Sequence, residues 1–88
     1  MTAETREIHV TAIHYGLLAD IQRGRVVDRV YGDYDETPYL DMPAGRLPVY
    51  VGKDVWEMER LGWCWRPVDS LVWQITGTGR AVLESSGL

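Results

Sequence analysis

Residues 51 to 83, VGKDVWEMERLGWCWRPVDSLVWQITGTGRAVL, read as helix, tight hairpin and helix, and the rest of the chain reads as packing around them. Val51, Val55, Met58 and Leu61 recur at i, i+4, i+7 and i+10, which keeps four apolar side chains on one face of a helix. Gly62 supplies the stop. Two short runs of aromatic and β-branched residues follow, Trp63-Cys64-Trp65 and Leu71-Val72-Trp73-Gln74-Ile75, with turn chemistry from Pro67 to Ser70 between them. That pattern predicts a β-hairpin. Thr76 then offers a hydroxyl to cap a last helix that runs through Ala81, Val82 and Leu83.

Working outward toward the N-terminus, residues 25 to 50 predict a hairpin or meander. Val26 to Tyr31 alternates, with Val26, Asp28 and Val30 on one side and Val27, Arg29 and Tyr31 on the other. Gly32 to Asp41 is acidic and rich in turn formers, Met42 to Arg46 contains a Pro-Ala-Gly turn, and Leu47 to Val51 resumes a strand-like pattern. Before them, Thr11 is placed to cap a first helix over Thr11 to Arg23. Its apolar stripe is Ile13, Leu17, Leu18 and Ile21, and Gly24 ends it. Gly16 inside that helix costs on the order of 1 kcal/mol relative to alanine, which suggests close packing against another element. Glu7 to Val10 fits a short strand or a helical lead-in, and residues 1 to 7 are polar and expected to fray.

Eighty-eight residues suit one small α+β domain with a single core, residues 1 to 88 together. Apolar residues at 45% and charged residues at 25% are ordinary globular values, so neither disorder nor a membrane partner is expected. No apolar run approaches the roughly 20 residues of a spanning helix, and Met1 to Glu7 lack the regions of a signal peptide. A cytoplasmic location is the expectation, and the single cysteine, Cys64, agrees with it because one thiol forms no internal disulfide. The net charge is −4: eight acids face four arginines in residues 1 to 41, while the remaining 47 residues balance at five and five. No segment carries the basic surplus by which proteins displace counterions from phosphates.

The helix ending in Leu61-Gly62-Trp63, the hairpin, and Trp73-Gln74-Ile75-Thr76-Gly77-Thr78-Gly79-Arg80-Ala81-Val82-Leu83 together resemble the C-terminal half of the winged helix-turn-helix family. The resemblance covers about 40 of the 88 residues, and it is nearest to the small single-domain versions of actinobacteria and their phages. It implies a winged-helix-like order: helix one, a hairpin or meander insertion, a recognition-type helix, a β-hairpin wing and a C-terminal helix. One departure stands out, since the family places a second helix where residues 25 to 50 read as strands and an acidic loop. The implied function is a small DNA-binding, transcription-regulating protein, acting as a homodimer on double-stranded DNA. Under that reading Lys53, Trp56, Glu57 and Arg60 face the major groove, and Arg46, Arg66 and Arg80 are candidate phosphate contacts. The exposed face of the helix holds three acids, Asp54, Glu57 and Glu59, against Lys53 and Arg60.

The remaining chemistry-bearing residues point away from catalysis. Four tryptophans fall within eighteen residues; Trp63, Trp65 and Trp73 are expected in the core, whereas Trp56 lies off the apolar stripe, where it suits a binding surface or a dimer contact. Cys64, between two tryptophans, is expected to be a buried small residue. His9 and His14 lie five apart, on different helical faces, and no metal site is expected from them. Asp33, Asp35, Glu36 and Asp41 lack calcium-loop spacing. No phosphate cradle, serine elbow or Cys-His pairing is present, so neither an enzyme nor a cofactor is expected. The acidic 33–41 loop with Tyr34 and Tyr39 has instead the chemistry of a protein-binding surface, alone or with Trp56. A winged-helix scaffold that holds a protein partner through Asp33, Tyr34, Asp35, Glu36, Tyr39 and Trp56 is therefore the alternative function.

Overall fold

The computed structural model describes residues 12–30 and 35–85, which form a small α+β domain. Three helices, a three-stranded antiparallel sheet and a two-stranded hairpin follow one another in the chain. The first helix, α1, spans Ala12–Gln22 and the second, α2, spans Gly52–Arg60. Each ends in the same way. Gly24 (φ 77°) and Gly62 (φ 80°) take the left-handed conformation that a Cβ disfavours, and the next amide reaches back along the helix, Arg25 N–H to Asp20 O at 2.9 Å and Trp63 N–H to Met58 O at 2.9 Å. At the end of α2 the closing residues Met58 and Trp63 are both buried, which adds an apolar contact to the backbone closure.

The buried stripe of α1 is His14, Leu17, Leu18 and Ile21. Ile13, read from sequence as part of that stripe, is 61% exposed, because one residue is 100° of rotation and the face that meets α2 passes through position 14. A Cβ at Gly16 would meet nothing within 4 Å, so this glycine marks no close packing. The proposed cap Thr11, His9, the 7–10 segment and the expected fraying at 1–7 lie outside the described residues.

The sheet comprises β1 (Val26–Arg29), β2 (Thr37–Leu40) and β3 (Val49–Tyr50), in that order. It is the meander expected over 25 to 50. The acidic stretch is less of a loop than the sequence suggested, since residues 37 to 40 are its central strand, paired with Val26–Arg29 on one side and with Tyr50 and Val49 on the other. Pro38 is tolerated there for a geometric reason. Its carbonyl accepts from Val51 N–H at 3.1 Å, so its donor-less nitrogen points to the same side, where β3 has already ended. Asp33 and Tyr34 lie outside the described residues.

The hairpin pairs β4 (Cys64–Trp65) with β5 (Gln74–Ile75) in the register Cys64 to Ile75 and Trp65 to Gln74. Ser70 N–H to Pro67 O at 3.1 Å closes its turn. Residues 71 to 73 leave the hairpin and meet the free edge of β1, with Asp28 N–H to Leu71 O at 2.7 Å and Trp73 N–H to Val26 O at 2.9 Å, so the two sheets share one seam. Trp63 and Trp73 are buried as expected, but Trp65 is 50% exposed. The regular alternation starts only at Cys64, which takes the inward position and turns its neighbour outward. The last helix, α3 (Gly77–Glu84), starts at the Thr76 cap, whose Oγ1 accepts from Gly79 N–H at 2.9 Å.

The core lies where these elements converge. Leu18 and Ile21 of α1, Val26 of β1 and Val55 and Met58 of α2 are at most 2% exposed, with Trp63, Cys64 and Trp73 closing the hairpin side. Among the described residues no helix is long and apolar enough to cross a membrane.

Candidate nucleic-acid interface

The amphipathic turn spacing of α2 determines what it shows to the outside. With Val55 and Met58 inward, Lys53 and Arg60, two turns apart, occupy the opposite face, and Trp56 stands beside them, 39% exposed. Tyr50, the last residue of β3 and two residues before the helix begins, lies against this face: its ring centroid is 6.5 Å from that of Trp56, edge to face. Tyr50, Lys53, Trp56, Glu57 and Arg60 surround one shallow depression. On its far side Tyr50 meets Tyr39 edge to face at 5.7 Å, a cross-strand aromatic pair set by the β2–β3 register. A Cβ on Gly52 would strike the Tyr50 ring at 2.6 Å, so the glycine that opens α2 makes the space in which this ring lies.

The acids of α2 are distributed differently from the cations. Glu57 is turned toward α1, where its Oε1 accepts a hydrogen bond from His14 Nε2 at 3.1 Å. His14 is itself buried, its ring packed edge to face on Trp63 at 5.9 Å. Sequence spacing separates His14 and Glu57 by 43 residues and gives no hint of this contact. Asp54 also lies on the α1 side of the helix, near both groups. Asp54 and Glu57 thus sit toward α1, although Glu57 also lines the depression between Lys53 and Arg60, and Glu59 is exposed elsewhere on α2.

Of the expected site residues, the structure gathers Lys53, Trp56, Glu57 and Arg60, and it adds Tyr50, which strand-like spacing alone did not mark. Arg46, Arg66 and Arg80 do not line this depression. Arg46 is exposed in the turn closed by its own N–H to Pro43 O at 3.1 Å, and Arg80 is exposed at the start of α3 beside Gln74 and Ile75. Arg66 is engaged within the fold. Its Nε donates to buried Asp28 at 2.8 Å, its Nη2 lies 3.7 Å from Glu36, and its Nη1 donates to the Ser70 carbonyl. Asp28 also accepts from the indole Nε1–H of Trp73 at 2.6 Å. Asp41 is likewise paired, with Arg29 at 2.5 Å, while Asp35 and Glu36 are exposed.

Cys64 has no part in the depression. Burial, together with the nearby charge of Glu59, pushes its thiol from 9.0 up to about 12, and its Sγ–H donates to Val55 O at 3.6 Å. A thiol so held is a poor nucleophile and a poor metal ligand. Comparison with protein-family models, with curated proteins and with solved structures finds no match to this chain.

Proposed function

We propose that this domain is a winged-helix-type nucleic-acid-binding module with a transcription-regulating role, and that α2 is its recognition element. The observation that carries the reading is the outer face of α2, where Lys53 and Arg60 flank Trp56 and Tyr50 around one depression while the Glu57 carboxylate is tied back to His14. Cations supply the phosphate attraction, and the aromatic rings supply contact area against sugars and bases. The element order agrees with what the resemblance implied: α1, a three-stranded meander, α2, the hairpin and α3 follow one another, and residues 71–73 beyond the hairpin turn back onto β1. The second helix of a helix-turn-helix is replaced over residues 26 to 50 by the three-stranded sheet, so α2 would enter a groove supported by β2 and β3.

Titration of the intrinsic tryptophan fluorescence with a generic DNA duplex, first at low and then at moderate salt, tests the proposal. Binding at low salt that weakens steeply as salt rises is expected, and a Lys53→Ala/Arg60→Ala double variant should lower the salt slope by about two, one for each lost phosphate contact. No fluorescence change at low salt would remove the nucleic-acid reading.

A second reading has its own observation. Tyr50 is 51% exposed and Trp56 39%, both in edge-to-face contact, on a domain of net charge −4, which suits a protein partner anchored on aromatic side chains. Under this reading Asp35, Glu36 and Tyr39 contribute the rim. A partner whose binding survives both moderate salt and the double cation variant, yet is lost with Trp56→Ala, would favour it over DNA.

A further inference from the structure

We propose that His14, Asp54 and Glu57 form a site for a divalent zinc-class cation at the junction of α1 and α2. One ligand atom from each of the three lies within 4.8 Å of the others. Asp54 and Glu57 stand at i and i+3 on α2, adjacent on the helix surface, and α1 brings the imidazole to them from the facing side. The His14 Nε2 to Glu57 Oε1 distance of 3.1 Å is close to the edge of a tetrahedral zinc shell, which bonds of about 2.0–2.1 Å set at roughly 3.3 Å. Asp54 completes the set within 4.8 Å, and it is a partly exposed side chain on a helix surface.

The donor set selects the ion. One imidazole nitrogen and two carboxylates suit zinc and its neighbours, whereas calcium and magnesium take oxygen shells. Three protein ligands leave a fourth position for water or for a group on a partner. His14 is held in a fixed orientation by burial and by Trp63, so the nitrogen ligand is positioned before the ion arrives. The single thiol does not compete, since Cys64 is buried and its proton is retained up to about pH 12. The inference is independent of nucleic-acid binding.

The test uses the full chain, first treated with a chelator and then titrated with Zn²⁺ by calorimetry, with the unfolding temperature followed in parallel. One equivalent should bind and raise Tm, and Co²⁺ should give a visible spectrum of low coordination number. Asp54→Asn and Glu57→Gln should each weaken Zn²⁺ binding by at least about tenfold. Their unfolding temperature without metal should stay close to that of the wild type, and Asp54→Asn is the sharper variant because the His14–Glu57 hydrogen bond does not need that carboxylate. No heat and no Tm shift in excess Zn²⁺ would overturn the proposal. Zn²⁺ binding of equal strength in wild type and both variants would place the ion elsewhere and overturn it too, and tighter binding of Mg²⁺ or Ca²⁺ than of Zn²⁺ would refute the zinc-class assignment.

Discussion

Cys64 and Gly79 illustrate how much a single residue can be asked to do in so small a core. The Cys64 thiol, raised by burial and then by Glu59, is protonated in the folded chain at pH values where the unfolded chain ionises. A raised folded pKa means that its contribution is complete below the unfolded value of 9.0 and is lost as pH climbs toward about 12. Denaturant unfolding measured across that window should therefore show stability falling more steeply for the wild type than for Cys64→Ala, while thiol reagents at neutral pH should modify Cys64 only after unfolding. Parallel pH profiles for the two proteins would contradict the buried thiol. At Gly79 the constraint is steric. A Cβ there would run into the backbone carbonyl of Trp63, the same carbonyl that accepts from Thr76 N–H at 3.1 Å. Backbone cannot step aside as a side-chain end can, so Gly79→Ala should destabilise by about 2–3 kcal/mol despite its better helix propensity, as judged from chemical denaturation.

The helices give a matched contrast at the scale of the element. Gly62 ends α2 at φ 80°, where an L side chain is strained, and Gly62→Ala should cost about 1–2 kcal/mol. Gly16 lies within α1 with open space around its Cβ position, so Gly16→Ala should instead stabilise by about 0.5–1 kcal/mol. Thermal melts of the two variants, shifted in opposite directions, would distinguish a required glycine from an incidental one; a destabilised Gly16→Ala would mean that another element packs closely on α1 at Gly16. The same comparison separates what the sequence could reveal from what it could not. α2 and the Thr76 cap are written in local periodicity and turn residues and form within a residue of where that signal places them, whereas the hairpin and the meander form in the expected order with shifted strands: 71–73 pair with β1, and 37–40, inside the acidic stretch, become the central strand. The side-chain partnerships are not local. Glu57 with His14 and Trp73 with Asp28 join residues 43 and 45 positions apart, and no spacing rule encodes which inward-facing polar groups will meet. Trp65 and Ile13 were misread for a related reason: at the ends of elements the period loses its phase, and one residue of slip reverses which side chain is buried.

On the scale of the whole molecule, one polar node joins parts that the backbone alone would hold loosely. Asp28 on β1 receives Trp73 Nε1–H and Arg66 Nε–H, and Arg66 extends to Glu36 and to the Ser70 carbonyl, so the three-stranded sheet, the 35–36 segment and the hairpin loop are tied at one place. Asp28 is 5% exposed, which makes each of its bonds expensive to lose, because a buried polar group left without partners keeps its desolvation cost. Asp28→Ala should therefore destabilise by roughly 2–3 kcal/mol, the scale of lost hydrogen bonds to a charged group. The informative experiment is the double-mutant cycle with Arg66→Ala. Because each single variant strands the other partner, the pair should be less damaging than the sum of its parts, with a coupling of about 1–3 kcal/mol. Arg66 is then first a strut of the fold, and any change of DNA affinity in Arg66→Ala would have to be read against its lost stability, which is why Lys53 and Arg60 are the better probes of the proposed interface. A strut also predicts a cooperative whole: far-UV circular dichroism, reporting the helices, and tryptophan fluorescence, dominated by the hairpin side, should trace one coincident transition in the wild type. In Asp28→Ala the fluorescence transition should move to lower denaturant ahead of the helical one, as the hairpin loop loses its hold on β1. Additive single effects and coincident transitions in every variant would mean that the apolar core alone joins the two sheets.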